Sequence, residues 1–175
     1  MEAIIYTTNT GSAEQYAKML AEKTGLSVFS MEEAKSKVEE GSEIIYLGWI
    51  MAAQVKDYKT AAKKYKIRAV CAVGMERTGT RTEEIRKKTC VPAEVPLFTL
   101  QGNFNIKKLH GLYRLMMNMM VKMVTKQLEA KTDRTQRESE MLEIMLHGGE
   151  RVREENLNEI LEWLKSETVA QIQEN

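Results

Sequence analysis

Ala3-Ile4-Ile5-Tyr6-Thr7-Thr8-Asn9-Thr10-Gly11-Ser12-Ala13 opens the chain, followed by a segment with Tyr16, Ala17, Leu20 and Ala21 on one helical side and Glu14, Lys18 and Glu22 on the other. The run Ala3–Tyr6 is short, β-branched and aromatic, so it reads as a buried strand. The next residues crowd hydroxyls around one glycine, and their Ser and Thr are placed to cap the helix that follows. A strand, a tight turn and a helix start in this order aim backbone N–H groups and the positive end of a helix dipole at one point. That arrangement suits a phosphate without any cationic side chain. The plainer alternative is a strand–turn–helix whose hydroxyls only cap the helix.

Outward from this stretch the same alternation continues. Gly25 is placed to end the first helix, and Leu26–Phe29 reads as a second strand. Ser30 caps a charged helix from Met31 to Glu39, broken by Gly41-Ser42. Ile44-Ile45-Tyr46-Leu47-Gly48 is a buried strand ending in a loop, Trp49–Ala53, and a helix from Val55 to Tyr65 follows. Ala69–Gly74 is another apolar strand. It leads through a loop with Thr78-Gly79-Thr80 to a short helix near Glu83–Lys88. Pro92 and Pro96 then bracket a linker, and Leu97–Leu100 makes the fifth strand. Strands apolar throughout, alternating with helices, argue for a doubly wound α/β fold with a five-stranded parallel sheet covered on both faces. The natural order is 2-1-3-4-5, with a ligand crevice where strands 1 and 3 diverge. The loops at that edge are Thr8–Ala13, Gly48–Ala53 and Gly74–Thr80.

The remainder is helical. Residues 105–150 read as an extension of a single domain spanning 1–175. Between Ile106 and Leu128 most positions are apolar, many of them Met, while Arg114, Asn118, Lys122 and Lys126 form one narrow polar stripe. A helix covering one sheet face does not need so wide an apolar arc. Its other uses are core packing with a homodimer interface, or contact with a membrane or substrate. Arg134–Leu146 is a more charged helix closed by Gly148-Gly149, and Glu154–Ile172 is an amphipathic helix able to cover the sheet.

The near-neutral net charge of +1 hides a segregation. Residues 77–126 carry ten Lys/Arg against three Asp/Glu, whereas residues 127–175 carry six against twelve. The two segments either complement each other or leave the basic one for an acidic lipid, an acidic protein or a carboxylated substrate. Nucleic acid is not an expected partner. No apolar run is long enough to span a bilayer, and the N-terminus does not read as a signal peptide. Two separated cysteines, Cys71 and Cys90, fit a reducing cytoplasm, and a lipid-facing helix would place the protein at the inner face of the membrane. His110 and His147 lack metal-ligand spacing, so no metal is expected. No carboxylate pair, Ser–His arrangement or activated Cys marks a catalytic centre, and Cys71 reads as inert core. A receiver-type domain would want acids after the first and third strands, where Tyr6-Thr7 and Gly48-Trp49 stand instead.

Thr8-x-Thr10-Gly11-x, directly after the first strand, resembles the FMN phosphate loop of flavodoxins, roughly Ser/Thr-x-Thr-Gly-x-Thr. One position departs, because Ala13 replaces the last Thr. This removes a hydrogen bond worth about 1–3 kcal/mol to a charged acceptor. The resemblance implies bound FMN, its phosphate on Thr8, Asn9, Thr10, Gly11, Ser12 and Ala13. Its ring would lie near Trp49, Ile50, Met51 and Ala52, and near Gly74 and Met75 of the next loop. Trp49 is either a stacking partner or an apolar plug at the sheet end. The 74–80 loop has no aromatic residue, unlike that of many flavodoxins; Phe104 is a candidate to lie near the site.

The segment Gly102–Met123, with Leu109-x-x-x-Tyr113-Arg114-Leu115 and Val121-Lys122-Met123, resembles the menaquinone-dependent protoporphyrinogen dehydrogenases. That resemblance implies an FMN-dependent oxidoreductase passing electrons from a reduced small-molecule substrate to a quinone, with bilayer contact. The competing expectations are a cofactor-free scaffold that binds a partner through the Met-rich helix, and a simple electron carrier serving a redox partner protein. The basic middle of the chain does not supply the acidic face such carriers use.

Overall fold

The computed structural model describes residues 1–173; nothing is stated for residues 174 and 175, or for the side chains at 137, 168 and 170–173. The chain divides into two compact units, Met1–Gly102 with Val152–Asn175, and Asn103–Arg151.

In the first unit the elements run β1 (Ala3–Thr7), α1 (Ser12–Thr24), β2 (Ser27–Ser30), α2 (Met31–Lys37), β3 (Glu43–Met51), β4 (Gln54–Val55), α3 (Tyr58–Lys64), β5 (Lys66–Gly74), α4 (Thr82–Thr89) and β6 (Leu97–Gln101). The five main strands pair in parallel in the order β2-β1-β3-β5-β6, the expected doubly wound order once the hairpin strand β4 is set aside. Alternation within each strand builds two cores. Ile5, Tyr46, Val70 and Ala72 face one, with Ala34 of α2, Ala61 of α3 and Ile85 of α4. Ile4, Ile45, Leu47 and Cys71 face the other, with Tyr16 and Leu20 of α1. A single 3-10 turn, Glu154–Leu157, returns the chain to this unit and leads into the final helix, Asn158–Gln173. Leu157, Ile160 and Leu164 complete the second core, so the C-terminal segment covers the sheet.

Local signals explain the ends. Ser30 caps α2 in a capping box, accepting from the Glu33 amide while the Glu33 carboxylate accepts from the Ser30 amide. Gly25 closes α1 in the left-handed conformation, its amide donating to the Ala21 carbonyl.

Two expectations are corrected. The stretch Trp49–Ala53 is not a loop after the third strand. β3 runs to Met51, turns through Ala52 and Ala53 at φ 49° and 62°, and returns as β4, pairing Ile50 with Val55 and Met51 with Gln54. The helix expected from Val55 therefore begins at Tyr58, because the Val55 amide donates to Thr89 Oγ1 and the Lys56 amide to the Trp49 carbonyl. Gly48 makes the fold-back sterically feasible. A β-carbon there would lie 2.5 Å from Val55 Cγ1 and 2.9 Å from the Lys56 carbonyl oxygen.

The second correction lies in the other unit, where the helix expected from Ile106 is interrupted. Asn105 caps one 3-10 turn, Ile106–Lys108, and the chain then extends through Leu109 and His110 before α5 (Gly111–Glu129) begins at a glycine with φ 54°. Buried Leu109 and this left-handed glycine reset the backbone. Thr135 caps α6 (Gln136–His147), which packs against α5. The ends of the unit are tied by Phe104–Gly149 backbone pairing and by the Arg151 amide, which donates to Asn103 Oδ1 at 2.6 Å.

Gly48→Ala is expected to lower stability by about 1–3 kcal/mol through overpacking against Val55 and the Lys56 carbonyl. A chemical-denaturation midpoint equal to wild type would show that the hairpin does not press on Gly48.

Candidate functional site

At the carboxyl ends of its strands the sheet is level. Thr7 pairs with Gly48, Trp49 with Val73, and Gly74 with Gln101. Three connections leave this edge. The turn Thr8–Ala13 joins β1 to α1, the hairpin Trp49–Val55 follows β3, and the loop Gly74–Arg81 follows β5. The expected binding residues Thr8, Asn9, Thr10, Gly11, Ser12, Ala13, Trp49, Ile50, Met51, Ala52, Gly74 and Met75 thus all lie at one edge of one unit.

In the first turn Gly11 is the N-cap of α1, left-handed at φ 94° and ψ −8°, and no side chain caps the helix. This corrects the expected Ser or Thr cap. Within the turn the Thr8 hydroxyl accepts from the Gly11 N–H at 3.0 Å. The amides of Asn9, Thr10 and Ala13 have no acceptor among the described residues. They stand beside the start of a thirteen-residue helix, whose N-terminus carries the positive end of the helix dipole. Ser12 and Ala13 are buried, so the β-carbon of Ala13 belongs to the core. Gly102 backs the turn: a β-carbon on it would lie 3.1 Å from Ser12 Cβ and 3.0 Å from Val73 Cγ1. No Lys or Arg lies in the turn. Glu14 of the first helical turn bonds Lys18 at 2.6 Å, and burial together with the Glu14 carboxylate pushes the Tyr6 phenol pKa up.

The hairpin is braced from beneath by Tyr46, whose phenol donates to the Lys56 carbonyl at 2.6 Å and lies 3.0 Å from Thr7 Oγ1. Burial pushes this phenol far up, so it stays a neutral donor. Trp49 and Ile50 are half-buried, while Met51 and Ala52 are exposed at the tip. Ile50 rests on Gly74, where a β-carbon would approach Ile50 Cδ1 to 2.8 Å.

The third connection is stitched to β6. The Gly102 amide donates to the Gly74 carbonyl at 2.6 Å, Gln101 Nε2 to the Met75 carbonyl at 3.2 Å, and the Gln101 amide to Thr78 Oγ1 at 3.0 Å. Arg81 then bridges Glu76 at 2.7 Å and Glu84, which holds the Glu84 carboxyl below its ordinary pKa. Tyr16 of α1 donates to the Gln101 carbonyl and accepts from Asn156 Nδ2, linking the helix behind the turn Thr8–Ala13 to the same strand end. Tyr46, Gln101 and Gly102 were not singled out from sequence. A Gly that closes or follows an apolar run of the sequence, as at 48, 74 and 102, was the available signal. Phe104 belongs to the other unit, where its backbone pairs with Gly149.

A sequence model of the family described as a flavodoxin domain matches residues 3–132, well over half of the chain. No curated protein and no solved structure matches it.

Tyr46→Phe removes one buried donor and leaves the Lys56 carbonyl unpaired, a change that costs about 1–3 kcal/mol. Hydrogen exchange should quicken at the amides of Val55 and Lys56 more than at those of β1. Uniform or unchanged exchange would contradict the brace.

Proposed function

Since this chain belongs to the flavodoxin-domain family, a family of flavin-binding, redox-type domains, we propose that it binds FMN non-covalently at the carboxyl edge of the sheet and acts as an oxidoreductase. The observation that carries this reading is the turn Thr8–Ala13, with partnerless amides at Asn9 and Thr10, a left-handed Gly11 and a helix start behind them. A phosphate fits that donor set, and Gly102 lets Ser12 at the end of the turn pack close against β5 and β6. The hydroxyls of Thr8 and Thr10 add donors in place of a cation.

Bound FMN would supply the electron- or hydride-transferring ring, leaving the chain to hold and orient it. Trp49 at the end of β3 offers an indole face, and the hairpin tip Met51–Ala53 offers backbone donors and acceptors to a polar ring edge. Gly74 and Met75 supply a second wall without an aromatic ring. Because that wall is tethered by Gln101, it meets the ring as a fixed surface. The half-buried hairpin limits water on the Trp49 side.

The finer form of the role takes electrons from a reduced small molecule to a quinone or similar acceptor. It is supported by the likeness of Gly102–Met123 to the protoporphyrinogen dehydrogenases and by the absence of the acidic face expected of a plain carrier. Ala13 favours the second reading, a scaffold without cofactor, because it removes one phosphate donor.

FMN titration followed by flavin fluorescence should show saturable binding. Riboflavin, which lacks the phosphate, should bind at least about a hundredfold more weakly. Thr10→Ala should weaken FMN by roughly tenfold, the value of one hydrogen bond to a charged acceptor. Equal affinity for riboflavin would remove the phosphate turn from the account, and no binding of either would favour the scaffold.

A further inference from the structure

Helix α5 is apolar on two sides, and α6 occupies only one of them. At about 100° per residue, Met117, Val121, Val124 and Leu128 share the side where α5 and α6 pack, and these are half-buried. Leu112, Leu115, Met116, Met119 and Met123 share the other side in a row about 16 Å long, each between 55% and 69% exposed. Together they open roughly 600 Å² of apolar surface, the upper end of what one patch on a monomer shows. With the flanking lysine stems this approaches the about 800 Å² that each partner gives to a standard specific interface.

The charges along the helix complement a second copy of it. Between Glu94 and Glu129 the sequence has no acid, so Lys107 and Lys108 stand before the helix and Glu129 at its end. All three are exposed, and none makes an ion pair among the described residues. The start of α5 has no side-chain cap and no acid in its first turn. At Gly111, its first residue, no atom lies within 4 Å of where a β-carbon would stand, so an approach from outside is clear. Gly111 and Glu129 are eighteen residues apart, about five full turns, so they share one edge of the apolar row on opposite sides of Met119. Turning one copy end over end about Met119 brings its Glu129 to the partner's Gly111, beside the partner's Lys107 and Lys108. There the positive end of the helix dipole favours a carboxylate. Met119 then meets its own counterpart, and Leu115 lies beside the partner's Met123. A parallel pairing would instead set Lys122 on Lys122 and Lys126 on Lys126 and align the two dipoles. In the antiparallel one these lysines leave the seam along their aliphatic stems, with their ammonium groups in water. No helix among the described residues is long and apolar enough to cross a membrane.

We propose that two copies of this chain pair through antiparallel α5 helices, their Leu112–Met123 rows buried against each other and Glu129 of each copy capping the start of the other's α5. The pairing involves the second unit alone and is independent of flavin binding.

Sedimentation velocity of the full chain over a range of concentrations should show a monomer–dimer equilibrium in the micromolar range or tighter. Met119→Glu, which sets two carboxylates face to face, should raise the dissociation constant at least about a hundredfold. Glu129→Lys should raise it about tenfold, because a cap contact is lost at both ends of the seam. Both sites are exposed, so thermal melts should match wild type and certify the fold. In a Cys90→Ser background, which removes the exposed native thiol, mild oxidation should link Met119→Cys copies to each other. Leu112→Cys should stay unlinked, since position 112 faces the partner's Lys126. A chain that is monomeric at every concentration would overturn the proposal, as would a dimer that Met119→Glu leaves intact. Equal linking at both cysteines would refute the antiparallel register. A monomer captured by vesicles containing phosphatidylglycerol would also overturn the pairing, by giving the row to lipid.

Discussion

Burial of the central strands on both faces is the constraint from which the rest of the first unit follows. Ile4 and Ile5 cannot both be satisfied by one layer, nor can Ile45 and Tyr46 or Val70 and Cys71, so helices must pass on each side of the sheet. Each crossover then returns the chain in the same direction, and the strands end together along one edge. With both faces covered, that edge is where loops can gather around a ligand. β1 lies between β2 and β3, and its crossovers leave to opposite sides, which opens the crevice beside the turn after Thr7.

What fills the edge is backbone as much as side chain. Gly48 lies inside β3 where the hairpin folds back, Gly74 ends β5 and Gly102 follows β6, and each gives way to a close neighbour: Val55, Ile50 and Ser12 in turn. The hairpin thereby folds down onto its own strand, and the β5 loop is sewn to β6. Ser12, at the end of the turn after β1, seats against Gly102. Buried hydroxyls complete the frame, with Tyr46 joining β1, β3 and the hairpin, and Tyr16 joining α1 to the end of β6. Such a frame keeps donor groups fixed before any ligand arrives, which favours tight and selective anion binding.

The sequence was most readable where a local pattern and the long-range packing agree. Alternating Ile, Val, Leu and Tyr in strands bounded by Gly named the sheet and its order, because burial on both faces demands that composition. The position of the turn Thr8–Ala13 between strand and helix was readable for a similar reason, but the cap was not, because Gly11 takes that place instead of Ser or Thr. The hairpin was missed because Ala52-Ala53 lacks the Asn-Gly signal of a tight turn, and two alanines in left-handed geometry are chosen by tertiary contacts of Val55 and Lys56. The break before α5 was missed because one glycine inside a long apolar pattern resembles an ordinary helical residue. Tyr46 and Gln101 were illegible in principle, as their partners lie ten or more residues away. The segregation of charge was visible in the sequence.

FMN binding as proposed depends on donors after β1 meeting a doubly charged phosphate. Amide resonances of Asn9, Thr10, Ser12 and Ala13, followed by NMR as FMN is added, test this most directly. Strong downfield shifts at Asn9 and Thr10, exceeding any change at the hairpin tip, are what it predicts. Unmoved amides in the turn, with shifts confined to other parts of the chain, would contradict it.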